Sequence, residues 1–453
     1  MSKVANFTEG KIVKPLLSFA LPVLLSLFLQ SLYGAVDLLV VGQFGVSADV
    51  SAVATGSQMM HMITVFITGL AMGTTILLGQ VIGSGKKSKA GDIIGSSICF
   101  FTVVAAVITA LMLVFTKPFT TLMNAPKEAF SKTVEYVIIC SIGTVFIVAY
   151  NVLGSVFRGI GDSKTPMITV ALACVFNIIG DLVFVGVFNL KAMGAAIATI
   201  MAQAFSVILC IIIVKKRGLP FEFGKKNIKF KWDIIKRVIT LGLPIALQDG
   251  LVSVSFLAIG AIVNTLGVVA SAGVGVAEKI CGFIMLVPSS FAQALSAFVA
   301  QNIGAGKYER ARKSLVCGIC ASLAIGVIMS YFSFFHGDLL AALFAKEGTV
   351  IKAAADYLKA YAIDTIFVAF LFCYIGYFNG YGKTTFVMLQ GIIGAFAVRI
   401  PVSYIMSKKA GVTLFHIGLA TPCSTLVQIV LFTVYFVIVL IQEKRNRGKF
   451  YID

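Results

Sequence analysis

Asn177 and Asp181 stand four residues apart in NIIGDLVFV (177–185), a run otherwise fit for a greasy helix. Four residues make about one helical turn, so the amide and the carboxylate share a face. Asp37 in YGAVDLLVVGQFG and Thr199 in MGAAIAT are polar intrusions of the same kind. An ionisable residue inside a membrane-spanning helix costs roughly 2.5–3.5 kcal/mol on insertion scales, which makes each carboxylate a functional candidate. Two carboxylates, an amide and a hydroxyl supply oxygens that suit a hard cation such as Na⁺. Alternatively, burial and mutual repulsion would leave one carboxyl holding a proton, which makes it a proton carrier. A structural reading also stands: each Asp is protonated or bonded to backbone near a helix break.

The elements that position these residues must be membrane helices. Of the 453 residues 59% are hydrophobic and 12% charged, with a mean hydropathy of +0.99. A soluble domain carries roughly a quarter charged residues, and a chain this apolar cannot hide its surface in its own core. Spans of about 20 apolar residues fall at 15–41, 56–82, 93–116, 134–157, 166–188, 193–214, 238–263, 272–301, 314–335, 355–378, 386–406 and 415–441. The start, MSKVANFTEGKIVKPLL, is polar and runs into a full-length span, so no cleavable signal is expected.

The formal charge of +18 suggests nucleic acid only until its distribution is considered. Basic residues gather in alternate loops: KKSK (86–89), KKRG (215–218), the linker at 225–237, KYERARK (307–313) and KRNRGK (444–449). The positive-inside bias puts these loops and both termini in the cytoplasm, which twelve spans allow. The nine cysteines are scattered through the spans and show neither a disulfide framework nor a zinc pattern. CxxC at Cys317 and Cys320 reads as packing within an apolar helix.

The chain is internally repeated. ALP (20–22) returns as GLP (242–244), QVIGSGK (80–86) as QNIGAGK (301–307), and FRGIG (157–161) as FNGYG (378–382), at offsets of 221 or 222. We therefore expect an all-α polytopic membrane protein of two six-helix halves, 1–214 and 238–453, joined by a basic cytoplasmic linker at 215–237. Six spans per half is even, so the repeats are parallel, an arrangement that suits alternating access. Pro22, Pro244 and Pro288 mark places where spans can bend or break. GSGKKS and GYGKTT resemble phosphate loops, but both depart from GxxxxGK[ST]; no nucleotide is expected, and transport would draw on an ion gradient.

Depth groups the polar residues. At about 1.5 Å per residue, Asp37, Asp181 and Thr199 lie about 7, 10 and 12 Å below the outer ends of their helices. The second half does not copy them: Ile259, Val398 and Val402 occupy the positions of Asp37, Asn177 and Asp181. It has charges of its own in Asp249, Glu278, Lys279, Asp364 and Arg399. Asp249 and Arg399 lie near mid-membrane and could pair, with substrate contact as the alternative. His61 reads as a hydrogen-bonded packing residue, or else a proton relay; His336 and His416 sit at outer ends. The 37 Phe and 13 Tyr suit a cavity for flat aromatic cations without naming a contact.

YGAVDLLVVGQFG, RGIGDSKTPM (158–167), NIIGD and MGAAIAT, set in a duplicated twelve-span chain, resemble the MATE multidrug and toxic compound extrusion family. The resemblance implies V-shaped six-helix lobes and export of organic cations against entry of H⁺ or Na⁺. Its DinF-like branch implies a cation site at Asp37, Asn177, Asp181 and Thr199, with Tyr136 as the nearest match for a tyrosine of the fourth helix. The NorM-like branch adds acids in the seventh and tenth helices. Asp249 and Asp364 lie in those helices but do not align with them. The resulting expectation is a monomeric, multi-pass inner-membrane antiporter, not an enzyme, with no cofactor beyond the coupling ion and no metal beyond Na⁺ at that site. A flippase for lipid-linked oligosaccharide is the alternative, though it calls for several buried cations where the spans offer Lys279 and Arg399. A receptor or channel would not need the duplication.

Overall fold

Lipid offers the backbone no hydrogen-bond partners, so an apolar chain crossing it must satisfy its amides internally, as helices do. The computed structural model describes residues 7–409 and 411–449, with side chains through Glu443. The first six residues and the side chains of the basic cluster at 444–449, both used above for topology, lie outside this range. No strand occurs among the described residues. The spans are α1 (Val13–Phe44), α2 (Ser47–Gly83), α3 (Lys87–Leu122), α4 (Lys127–Ile142 and Thr144–Ile160), α5 (Lys164–Val187) and α6 (Lys191–Arg217), then α7 (Trp232–Asn264), α8 (Val268–Gly304), α9 (Tyr308–Phe335), α10 (Gly348–Tyr381), α11 (Thr384–Ser407) and α12 (Leu414–Glu443). Every expected span is present.

Where helices break is less simply related to proline. Pro22 and Pro244 lie inside unbroken α1 and α7, whereas α8 breaks at Met285, three residues before Pro288. The 51° bend of α4 comes at Gly143, with no proline. There α6 presses so close that a Cβ on Gly143 would strike the Ile200 side chain. Thr109 on α3 donates to the Ser141 carbonyl beside the bend at 3.3 Å. Two π-helical stretches interrupt the regular winding, at Leu182–Val187 and Ile393–Arg399.

Two compact units are distinguished. One comprises residues up to Leu247 together with Ser296–Arg312 and Gly380–Gly382; the other comprises Gln248–Leu295, Lys313–Asn379 and the chain from Lys383. Within the first unit the repeated motifs meet each other. Gln80 Nε2 donates to the Gly380 carbonyl at 3.3 Å, and Gln301 Nε2 donates to the Gly159 carbonyl at 3.0 Å. Each glutamine thus binds the glycine motif of the opposite repeat. A Cβ on Gly83 would run into the Gln301 carbonyl, and one on Gly304 into the Gln80 carbonyl. Here glycine is required by close backbone approach, the same device that small residues provide wherever membrane helices touch.

Gly83→Ala and Gly304→Ala should each lower the thermal midpoint of the detergent-solubilised protein, by about 1–3 kcal/mol of overpacking. Gly260→Ala, in α7 with nothing within 4 Å of its Cβ position, should leave the midpoint unchanged or raise it. Equal effects at all three positions would contradict the crossed packing.

Candidate functional site

Small residues bring α6 onto α5. A Cβ on Gly180 would stand 3.1 Å from the Ala198 Cβ, and one on Gly194 would stand 2.9 Å from the Phe184 carbonyl carbon. The MGAAIAT segment is therefore a packing face, and its last residue delivers a hydroxyl. Thr199 Oγ1 donates to Asp37 Oδ2 on α1 at 3.0 Å. At the other end of α5, Asp162 of RGIGDSKTPM caps the helix. Its Oδ1 accepts from the Lys164 and Thr165 amides, both at 3.0 Å, so this acid is structural.

Asn177 and Asp181 complete the cluster. They are 1% and 0% exposed, and Asp37 is 5% exposed. Both residues lie against Asp37 within interaction range. Even so, Asp37 Oδ1, both polar atoms of the Asn177 amide and both Asp181 oxygens lack a hydrogen-bond partner. Buried polar atoms are normally paired, and a charged group left without a partner in a dry site is costly. The arrangement leaves inward-facing oxygens that a desolvated cation or a proton would satisfy. α5 turns π-helical directly after Asp181, a deviation frequent at functional positions.

Tyr136, on the first segment of α4, is 2% exposed. It lies in the same neighbourhood, near Asp37 and against Cys140, with its ring filling the space that a side chain on Gly56 would need. The polar lining extends beyond the residues singled out from the sequence. Gln203 Nε2 donates to Tyr33 Oη at 3.2 Å and Gln30 Nε2 to Tyr150 Oη at 3.1 Å. The signal for these was present: Gln30, Tyr33 and Asp37 recur at i, i+3 and i+7 on one face of α1, and Gln203 follows Thr199 by one turn.

The remaining candidates go elsewhere. His61 is exposed on α2 and hydrogen-bonds no described residue, in place of the bonded packing role expected. The pairing of Asp249 with Arg399 does not form. Asp249 is exposed midway along α7, whereas Arg399 is buried, with Nη1 donating to Ser255 Oγ at 3.1 Å. The Arg399 guanidinium also lies 4.4 Å from the centroid of the Phe256 ring. A hydroxyl and an aromatic face farther along α7 thus replace the carboxylate. Asp364 is 1% exposed on α10, against Thr425, with Oδ1 unpartnered. Glu278 and Lys279 are exposed. Ile259, at the position of Asp37, belongs to an apolar cluster with Val263, Val274 and Tyr357. No group of three or more His, Cys, Asp or Glu is placed to hold a metal among the described residues. All nine cysteines, Cys317 and Cys320 included, are free.

Twelve apolar spans in two parallel repeats, with a buried polar cluster in the first repeat, define a polytopic membrane transporter. Residues 22–183 and 244–405 each match the model of the MatE family. The chain belongs to that family, and the two matches stand 222 residues apart at both ends, as the repeat requires. Among similar proteins are the probable multidrug resistance protein YoeA of Bacillus subtilis, 25% identical over 92% of each chain, and the probable multidrug resistance protein NorM of Thermotoga maritima, 25% identical over 90% of this chain and 88% of its own. A solved MATE in complex with MaL6 shares the fold with a TM-score of 0.92 at 20% identity, covering 98% of this chain and all of its own.

Replacing both acids, Asp37→Asn with Asp181→Asn, should raise the thermal midpoint in sodium-free buffer, because unpartnered buried charge costs about 1–3 kcal/mol or more per group. The variant's midpoint should also stop responding to added Na⁺ or to pH. A lower midpoint that still responds would contradict the geometry.

Proposed function

We propose that this chain is a secondary antiporter that exports organic cations in exchange for H⁺ or Na⁺. The observation that carries the proposal is the set of five unpartnered polar atoms on Asp37, Asn177 and Asp181, held beside the Thr199 hydroxyl among helices of the first repeat. The multidrug resistance names of its relatives supply the substrate class.

The entering cation neutralises the carboxylate pair. Asp37 and Asp181 accept it, while the Asn177 carbonyl oxygen and Thr199 complete its shell. With the pair uncompensated, repulsion and desolvation favour a different packing of α1, α5 and α6; with it neutralised, the tight packing is stable. Ion binding thereby selects between conformations, and the drug, bound better by the other conformation, is released. Drug and cation must lower each other's affinity by the same factor, about 5–150-fold for a coupling of 1–3 kcal/mol. The basic loops belong on the cytoplasmic face of the inner membrane, with both termini inside, and the monomer is the working unit.

Ethidium efflux from reconstituted vesicles, under an imposed proton or sodium gradient, tests the proposal. One gradient should drive efflux in the wild type, and Asp181→Asn should reduce it by about 5–150-fold, the loss expected when that coupling disappears. Efflux unchanged in the variant would make Asp181 structural. No efflux under either gradient in the wild type would overturn drug export and favour a lipid-linked substrate.

A further inference from the structure

The linker between the repeats is strapped onto α3. Asn227 is anchored through Nδ2 to Asp92 Oδ1 at 3.0 Å, and its own Oδ1 accepts the Gly224 amide at 3.1 Å. Ser96 Oγ donates to the Lys229 carbonyl at 3.0 Å, and Lys231 Nζ pairs with Asp92 Oδ2 at 2.6 Å. A Cβ on Gly95 would strike the Asn227 carbonyl. The strap therefore lies directly on the first turns of α3, where KKSK (86–89) presents exposed Lys86, Lys87 and Lys89.

This docking fixes which way the strap's side chains face. Residues 228–231 belong to no helix or strand, and the Lys229 amide closes a tight turn onto the Asn227 carbonyl at 2.9 Å. Lys231 turns in toward Asp92, and Ile228, Phe230 and Trp232 turn out. They are 45%, 58% and 60% exposed, and the Phe230 and Trp232 rings stack with centroids 6.4 Å apart and planes at 11°. Trp232 is also the first residue of α7, at the polar end of a span, the depth at which tryptophan anchors helices to the membrane boundary. Around this edge the charge is one-sided. Residues 225–237 contain Lys225, Lys226, Lys229, Lys231, Lys236 and Arg237 against the single acid Asp233. Lys226 pairs with Glu222 at 3.4 Å and Lys231 with Asp92. Lys225, Lys229, Lys236 and Arg237 are exposed and form no ion pair among the described residues.

We propose that this strap is a docking surface for anionic phospholipids: Ile228, Phe230 and Trp232 enter the acyl boundary while Lys225, Lys229, Lys236 and Arg237 hold the headgroup phosphates. An aromatic edge inserted at the boundary and flanked by unpaired cations matches both parts of such a lipid. Each basic residue near an anionic surface adds to the attraction, which is screened by salt. A zwitterionic lipid satisfies the apolar edge but not the charge excess.

Trp232 is the only tryptophan in the chain, so its fluorescence reports on this surface alone. The full-length protein is reconstituted into bilayers of phosphatidylglycerol and phosphatidylcholine, with brominated acyl chains on one lipid or the other at equal mole fraction. Quenching by brominated phosphatidylglycerol should exceed that by brominated phosphatidylcholine by about twofold or more at low salt, as expected for local enrichment of the anionic lipid. Raising the salt should reduce this preference. The triple variant Lys225→Gln, Lys229→Gln, Lys236→Gln should lose it while keeping quenching by both lipids. Equal quenching by both lipids in the wild type, quenching by neither, or a preference that persists in the triple variant would each overturn the proposal.

Discussion

Asp37 and Asp181 lie close together and buried from solvent, and two like charges cannot both stay there uncompensated. Neither acid has a basic partner; the nearest help is one hydroxyl and an amide whose own atoms are unpaired. In an ordinary core such an arrangement is selected against, because the cost of unpaired buried charge is large compared with the margin of folding stability. Its presence here is what the proposed cation site rests on. The surrounding sequence serves that arrangement, from the small residues of α6 that let Thr199 reach Asp37 to the π-helical turn that follows Asp181.

The second repeat shows what the same scaffold looks like without that constraint. Ile259 replaces Asp37 and joins an apolar cluster, and buried Arg399 meets a serine hydroxyl and a phenylalanine ring. Duplication supplied the frame, and the repeats then diverged in chemistry. The frame itself is retained where the repeats cross. Gln80 and Gln301 each bind the glycine motif of the other half, and two glycines permit backbones to touch there. Symmetry is kept where packing demands it and abandoned at the buried acids.

Much of this was legible in the sequence. Spans announce themselves because lipid enforces long apolar runs, and the Asn177–Asp181 spacing announces itself because charge in such a run is rare. Other features depend on contacts that no local pattern encodes. The glycines of QVIGSGK and QNIGAGK read as helix ends, and all four contacts between the motifs join residues more than 140 positions apart. The α4 bend arises from the pressure of Ile200 on Gly143, which periodicity cannot show. Arg399 found Ser255 rather than Asp249 because helix rotation, set by packing, decides which face of α7 it meets. Gln30, Tyr33 and Gln203 carried a readable helical spacing, but they are uncharged and drew less notice than the acids.

The central claim is that Asp37, Asn177, Asp181 and Thr199 form one cation site. It is tested most directly by equilibrium binding of radioactive sodium, with proton release recorded on the same purified sample, for the wild type and for Asn177→Leu. The account predicts saturable uptake of Na⁺, or of a proton that Na⁺ does not displace, that is strongly weakened when the amide oxygen is removed although both carboxylates remain. Undiminished affinity in Asn177→Leu would contradict a shared site and leave the two acids as separate structural groups.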